Sequence, residues 1–166
     1  FGAKADSFEG SINKLAELLG FDGQRPDEEW GEGPDNIWAI RDNEYLLIEC
    51  KNEVETKRTE IHKKESGQMN NHIAWFRNKY GEVKVDCVMV INAKNVGKGA
   101  GFSEEVEVLR EGGLKRFVAN VESFYREFKD YDLKDISEQR VNEWLNQHHL
   151  STQDVLKNYT EKTRYL

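Results

Sequence analysis

The stretch Tyr45-Leu46-Leu47-Ile48-Glu49-Cys50-Lys51 decides how this chain is read. An unbroken apolar run with no polar alternation describes a strand covered on both faces. The run then changes abruptly to an acid, a thiol and a lysine. Side chains alternate across a strand, so Glu49 and Lys51 project to one side and Cys50 to the other. Charges belong at strand edges, yet the apolar run places this strand in the centre of a sheet. A buried acid and amine there need partners. Upstream, Pro34-Asp35 sets a second acid at a turn, just after Gly31-Glu32-Gly33. Proline fixes the backbone and the glycines permit tight turning, so Asp35 is aimed. The simplest partner for two such carboxylates is a divalent cation, with a phosphate nearby.

Working outward, Asp42-Asn43 reads as a hairpin turn joining this strand to a short one over Ile37–Ile40. Before them, Phe8, Ile12, Leu15 and Leu19 recur at helical spacing until Gly20 stops the helix. From Phe21 to Gly33 the chain is polar and reads as a loop, with an extended piece around Trp30. Downstream, Met69, Ile73, Phe76 and Tyr80 form the stripe of a helix over about 63–79, closed by Gly81. Val85 to Ile91 is the strongest buried strand, and Asn92 to Ser103 reads as a loop. Leu114, Phe117, Val121, Phe124 and Phe128 mark an amphipathic helix. Val141, Trp144, Leu145 and His148 mark another. Ser151-Thr152-Gln153-Asp154 has capping-box spacing and predicts a last short helix through Val155, Leu156 and Tyr159. The expected fold is α/β: a mixed central sheet flanked by helices, with a helical C-terminal part. The core spans 1–130, and a helical extension over 131–166 packs on it as part of one domain.

At 166 residues the chain matches one ordinary domain. No apolar run approaches a membrane span, so no membrane association is expected. The start at Phe1 reads as a piece excised from a longer protein. Cys50 and Cys87 both fall in core strands and read as free thiols, which fits a reducing cytoplasm. The formal net charge of −7 argues against a passive nucleic-acid coat. It is compatible with clustered acids that lose their repulsion on binding metal. Positive charge is local: Lys51, Lys57, Arg58, Lys63 and Lys64 fall close together, and read equally as a solvated face among Glu53, Glu55, Glu60 and Glu65. Walker, zinc and serine-elbow patterns are absent. The Trp and Tyr residues lie at core spacing rather than as base-stacking platforms.

Two further residues join the candidates. On the first helix Glu9 falls on the shoulder of the buried stripe and can lean over the sheet edge, whereas Glu17 faces away. Asp6-Ser7-Phe8-Glu9 also has capping-box spacing, so Glu9 has an equal structural reading. Gln68 sits on the shoulder of the second helix stripe, where it can hold water or phosphate; His72, one turn later, is the weaker candidate. Taken singly, each residue has an ordinary explanation: Asp35 as a turn acid, Glu49 and Lys51 as a solvated strand end, Gln68 as a boundary polar residue. His148 and His149 read as structural, and His62 has no evident partner.

In combination, Phe8-Glu9, Gly20-Phe21, Gly33-Pro34-Asp35 and Leu47-Ile48-Glu49-Cys50-Lys51 resemble the PD-(D/E)xK nuclease superfamily, nearest to the Mrr-type and Holliday-junction-resolvase-like groups. The resemblance covers roughly the first half of the chain. It implies a restriction-endonuclease-like core and Mg²⁺-dependent hydrolysis of DNA, with Mn²⁺ as a substitute and RNA left open. Asp35, Glu49 and the backbone carbonyl of Cys50 would be metal ligands, with Glu9 direct or through water. Lys51 would orient the attacking water or stabilise the transition state, and Gln68 would position water or phosphate. A helicase or ATPase partner, a homodimer and a role in restriction, repair or phage defence are the associated expectations. The rival reading is a catalytically inert nuclease-fold module that binds DNA or a protein.

Overall fold

The structure, a computed structural model, describes residues 4–53, 58–152 and 155–166. In chain order it runs α1 (Ala5–Leu18), β1 (Asp22–Gln24), α2 (Pro26–Trp30), β2 (Asn36–Arg41), β3 (Glu44–Cys50), β4 (Glu60–Ile61), α3 (Lys63–Tyr80), β5 (Lys84–Val90), β6 (Asn95–Val96), β7 (Val106–Leu109), α4 (Glu111–Glu127), α5 (Glu138–Gln147), β8 (Glu161–Lys162) and β9 (Arg164–Tyr165). Six strands form one mixed sheet in the order β1-β2-β3-β5-β7-β8. β1, β2 and β3 are antiparallel neighbours, β3, β5 and β7 run parallel, and β8 closes the far edge antiparallel. The two-residue strands β4, β6 and β9 make a small parallel sheet of their own.

The apolar run now has its physical cause. Leu47 packs with Met69, Ile73 and Phe76 of α3 on one face of the sheet. Leu46 and Ile48 join α1 and α4 on the other, through Phe8, Ile12, Phe117 and Val121. β3 is therefore covered from both sides, and its alternating positions feed two separate cores. The hairpin before it turns on Asn43 at φ 60°, a left-handed conformation that Asn tolerates.

Several elements differ from expectation. The segment 21–33 is not a plain loop. Its extended piece is β1, and Trp30 instead closes α2. Pro26 occupies the start of that helix and Asp27, Glu28 and Glu29 fill its first turn, where the positive end of the helix dipole favours acids. β7 escapes sequence reading because four residues carry too little periodicity, and its place is set by pairing with β5. The C-terminal part is not wholly helical. The capping box at Ser151–Asp154 includes residues 153 and 154, which lie outside the described residues. From Val155 the chain turns, with Leu156 at φ 65°, a value no helix accommodates. The chain then supplies β8 to the large sheet and β9 to the small one, while Tyr159 is buried against Phe117 at 4.9 Å between ring centres.

Cys50 and Cys87 are both free and buried. No helix among the described residues is long and apolar enough to cross a membrane.

Candidate active site

Asp35 stands at the entry to β2, at the end of a turn that only glycine allows. Gly33 has φ 102°, and a Cβ there would lie 3.0 Å from Pro26 and 3.1 Å from the Trp75 ring. The turn buries Asp35 to 7% exposure. Its Oδ2 accepts the backbone N–H of Cys50 at 2.6 Å, tying the start of β2 to the end of β3. Glu49 is fully buried. Its Oε1 lies 2.5 Å from Lys51 Nζ, and its Oε2 lies 2.6 Å from Nδ1 of His72 on α3. Glu49 and Lys51 therefore share a face, as strand alternation requires. The reading of these charges as a solvated strand end does not hold.

Glu9 approaches from the opposite layer. The first helix is capped at Lys4, so Asp6 lies inside its first turn and does not cap it. Arg25 gathers both acids instead, with Nη2 at 2.8 Å from Asp6 and 3.2 Å from Glu9. The capping explanation of Glu9 is thereby corrected: its carboxylate is directed to Arg25 and feels the charge of Glu49.

The carboxylates affect one another. Burial, then the charge of Glu49, push Asp35 up to about 7; the Cys50 N–H offsets this in part, and Glu9 adds to it. Burial also raises Glu9, against the hydrogen bond and charge of Arg25. Burial alone would lower the Lys51 ammonium, but the charge and hydrogen bond of Glu49 outweigh it and the lysine is raised. Burial holds the Cys50 thiol well above its ordinary range, so it remains protonated. The result is an acid-rich, largely buried group of side chains at the carboxyl end of β3, the usual side for ligands in open α/β sheets.

The acids at 9, 35 and 49 feel one another, but they do not close into a cage. Among the described residues, no three His, Cys, Asp or Glu side chains gather as a ready metal cluster. Glu49 gives its two oxygens to Lys51 and His72, and Glu9 faces Arg25. The donor set nonetheless suits a hard divalent ion, being carboxylate oxygen in a desolvated setting with surplus negative charge. Asn36, next to Asp35, is fully buried with neither side-chain amide atom hydrogen-bonded, a further oxygen donor in want of a partner. Gln68 is half-buried one helical turn before His72, outside the hydrogen-bonded set of Glu49, Lys51 and His72.

Sequence reading underrated His72, although its spacing from Gln68 on one helix face was visible. Arg25 carries no motif, and only the fold brings it to Glu9. His148 pairs with Glu127 at 2.8 Å, and the backbone N–H of His62 donates to Glu65 at 2.6 Å at the start of α3; both are structural. A cavity of about 510 Å³ lies away from this group, between β5, β7 and the segment around Leu156 and Thr160. It gathers no catalytic constellation.

Compared with protein-family models, curated proteins and solved structures, the chain matches none.

Proposed function

We propose that this domain is a metal-dependent endonuclease of the PD-(D/E)xK kind, hydrolysing phosphodiester bonds in DNA. The observation that carries the reading is the buried unit of Asp35, Glu49 and Lys51 at the end of β3, with Asp35 hydrogen-bonded to the strand itself at 2.6 Å. The mixed six-stranded sheet flanked by helices is compatible with that class.

Asp35, Glu49 and the carbonyl of Cys50 would hold Mg²⁺, or Mn²⁺ in its place, with Glu9 acting through water. A metal so bound lowers the pKa of water and neutralises phosphate charge. The remaining roles belong to the chain's own groups. Lys51 donates to a non-bridging phosphate oxygen, where negative charge accumulates as water adds to phosphorus and the bridging oxygen departs. Glu49 holds the Lys51 ammonium in position. His72, hydrogen-bonded to the other oxygen of Glu49, fixes the orientation of that carboxylate. Gln68, one turn before His72 on α3, would bind water or phosphate.

Two substitutions test the assignment. Lys51→Ala abolishes cleavage of plasmid DNA while sparing the fold and Mn²⁺ binding. Asp35→Ala loses both cleavage and Mn²⁺ binding. Wild-type cleavage by both variants would refute these roles. RNA is the alternative substrate. A homodimer, a helicase or ATPase partner, a cytoplasmic setting and a task in restriction, repair or phage defence are parts of the same proposal.

A second reading has its own support: Glu49 already has both oxygens engaged, and the chain carries a net charge of −7. These favour an inert nuclease-fold module that binds DNA or a protein. Such a module shows no carboxylate-dependent Mn²⁺ heat by calorimetry, whereas the nuclease does.

A further inference from the structure

Beside the candidate active site lies an aromatic surface that sequence spacing assigned to the core. Trp30, at the end of α2, is 50% exposed. Its ring stacks on that of Trp75 of α3 at 6.0 Å and 26°, and Trp75 leans on Tyr80 at 6.4 Å. These rings, with Glu32 and Lys79, line an open cavity of about 450 Å³. Lys79 Nζ stands 5.7 Å from the centre of the Trp75 ring and pairs with Glu32 at 3.0 Å.

The surface is continuous with the candidate active site along two elements. Trp30 leads through Gly31-Glu32-Gly33-Pro34 directly to Asp35, and Gly33 packs on Trp75 so closely that a Cβ would lie 3.1 Å from its ring. On α3, Trp75 follows His72 by three residues, about 4.5 Å along the helix axis, and His72 touches Glu49. Both elements run from the candidate site to the tryptophan pair, so a strand that crosses Asp35 and Lys51 and follows them has the exposed Trp30 ring on its path. The chemistry suits a base. Stacking needs a flat π surface and is indifferent to sequence. The lysine beside it is held by an exposed ion pair to Glu32 and by the Trp75 ring, and an exposed pair of this kind gives way to a phosphate at little cost. A cationic partner is disfavoured, since Lys79 already supplies positive charge over Trp75.

Resting on the nuclease reading, the geometry points to Trp30 and Trp75 as a stacking platform for an unpaired nucleobase next to the scissile phosphate, with Lys79 on the adjoining phosphate. The substrate class is accordingly single-stranded or flapped nucleic acid rather than continuous duplex.

The test measures binding of fluorescein-labelled short oligo(dT), the same strand with abasic sites, and a duplex of equal length, at low salt in EDTA so that nothing is cut. Mn²⁺-dependent cleavage of each is followed separately. Wild type binds oligo(dT) about tenfold more tightly than the abasic strand, as one stacked base is worth about 1–3 kcal/mol. Trp30→Ala loses that margin without changing abasic binding, and Trp30→Phe keeps most of it. Because Trp30 is half-exposed, its truncation leaves the fold intact, checked by circular dichroism. If wild type cuts nucleic acid with Mn²⁺ but Trp30→Ala still binds oligo(dT) within twofold of wild type, the platform is refuted and the nuclease reading stands. Preference for duplex over oligo(dT) likewise refutes the platform. If wild type neither binds nor cuts any strand, the nuclease reading falls and the platform falls with it.

Discussion

Asp35→Asn should stabilise the metal-free protein at neutral pH, although it removes a group assigned to the active site. Asp35 is 7% exposed and its carboxyl is displaced from an ordinary 3.8 to about 7, by burial first and by the charge of Glu49 second. The folded state therefore binds this proton more tightly than the unfolded chain. The linkage has a definite sign. At pH below 3.8 the group is protonated in both states and contributes nothing. As pH rises from about 4 to 7 the unfolded chain ionises first and is favoured, so folding stability falls. Above about 7 the whole penalty is present. At about 1.4 kcal/mol per pH unit, the displacement corresponds to a penalty of about 4 kcal/mol. An amide carries no charge to desolvate and still offers an oxygen to the Cys50 N–H. In a domain of this size 1 kcal/mol moves Tm by about 2–4 °C, so Asp35→Asn should raise Tm by roughly 8–16 °C at pH 8 in EDTA. The gain should vanish by pH 4. Thermal unfolding followed by circular dichroism across pH 4–8 measures it. Added Mn²⁺ should stabilise wild type and leave the variant unmoved. Equal Tm values at pH 8, or a gain that persists unchanged at pH 4, would refute the account of Asp35 as a strained buried carboxylate.

The remaining predictions are briefer. Lys51→Ala should lower the cleavage rate at least about 10²-fold, the usual cost of one donor to a developing oxyanion, with Mn²⁺ heat retained by calorimetry. His72→Ala should weaken Mn²⁺ affinity about 10-fold or more by freeing an oxygen of Glu49 from its orienting partner, read by titration calorimetry; unchanged affinity and rate would remove His72 from the site. Gly113→Ala should destabilise the fold by about 3 kcal/mol, because the new Cβ meets the Tyr159 carbonyl oxygen. Urea unfolding checks this, and a neutral result would mean that the C-terminal segment does not dock on α4 as described.

Much of the frame could be read from the chain. The runs at 45–48 and 85–91 are long enough, and apolar enough, to declare buried strands. The stripes of α1, α3 and α4 repeat often enough to declare helices. The order Asp35, Glu49, Lys51 was visible because strand alternation is a covalent fact that holds before any packing. What local periodicity cannot carry was missed: the four residues of β7, the strands of the C-terminal segment, and α2, whose signal is a proline and three acids rather than a stripe.

The candidate site divides in the same way. Sequence by itself determined that Glu49 and Lys51 share a face, that Asp35 is aimed by a rigid turn, and that the strand between them is covered on both sides. Tertiary structure alone decided that Asp35 binds the N–H of Cys50, that His72 rather than Gln68 contacts Glu49, that Arg25 binds Glu9, and that Trp30 lies open. The physical reason is range. Dihedral preference and side-chain alternation act within a few residues and are written in the local order of the chain. Desolvation, charge coupling and ring stacking depend on which distant segments the folded sheet brings within a few ångströms.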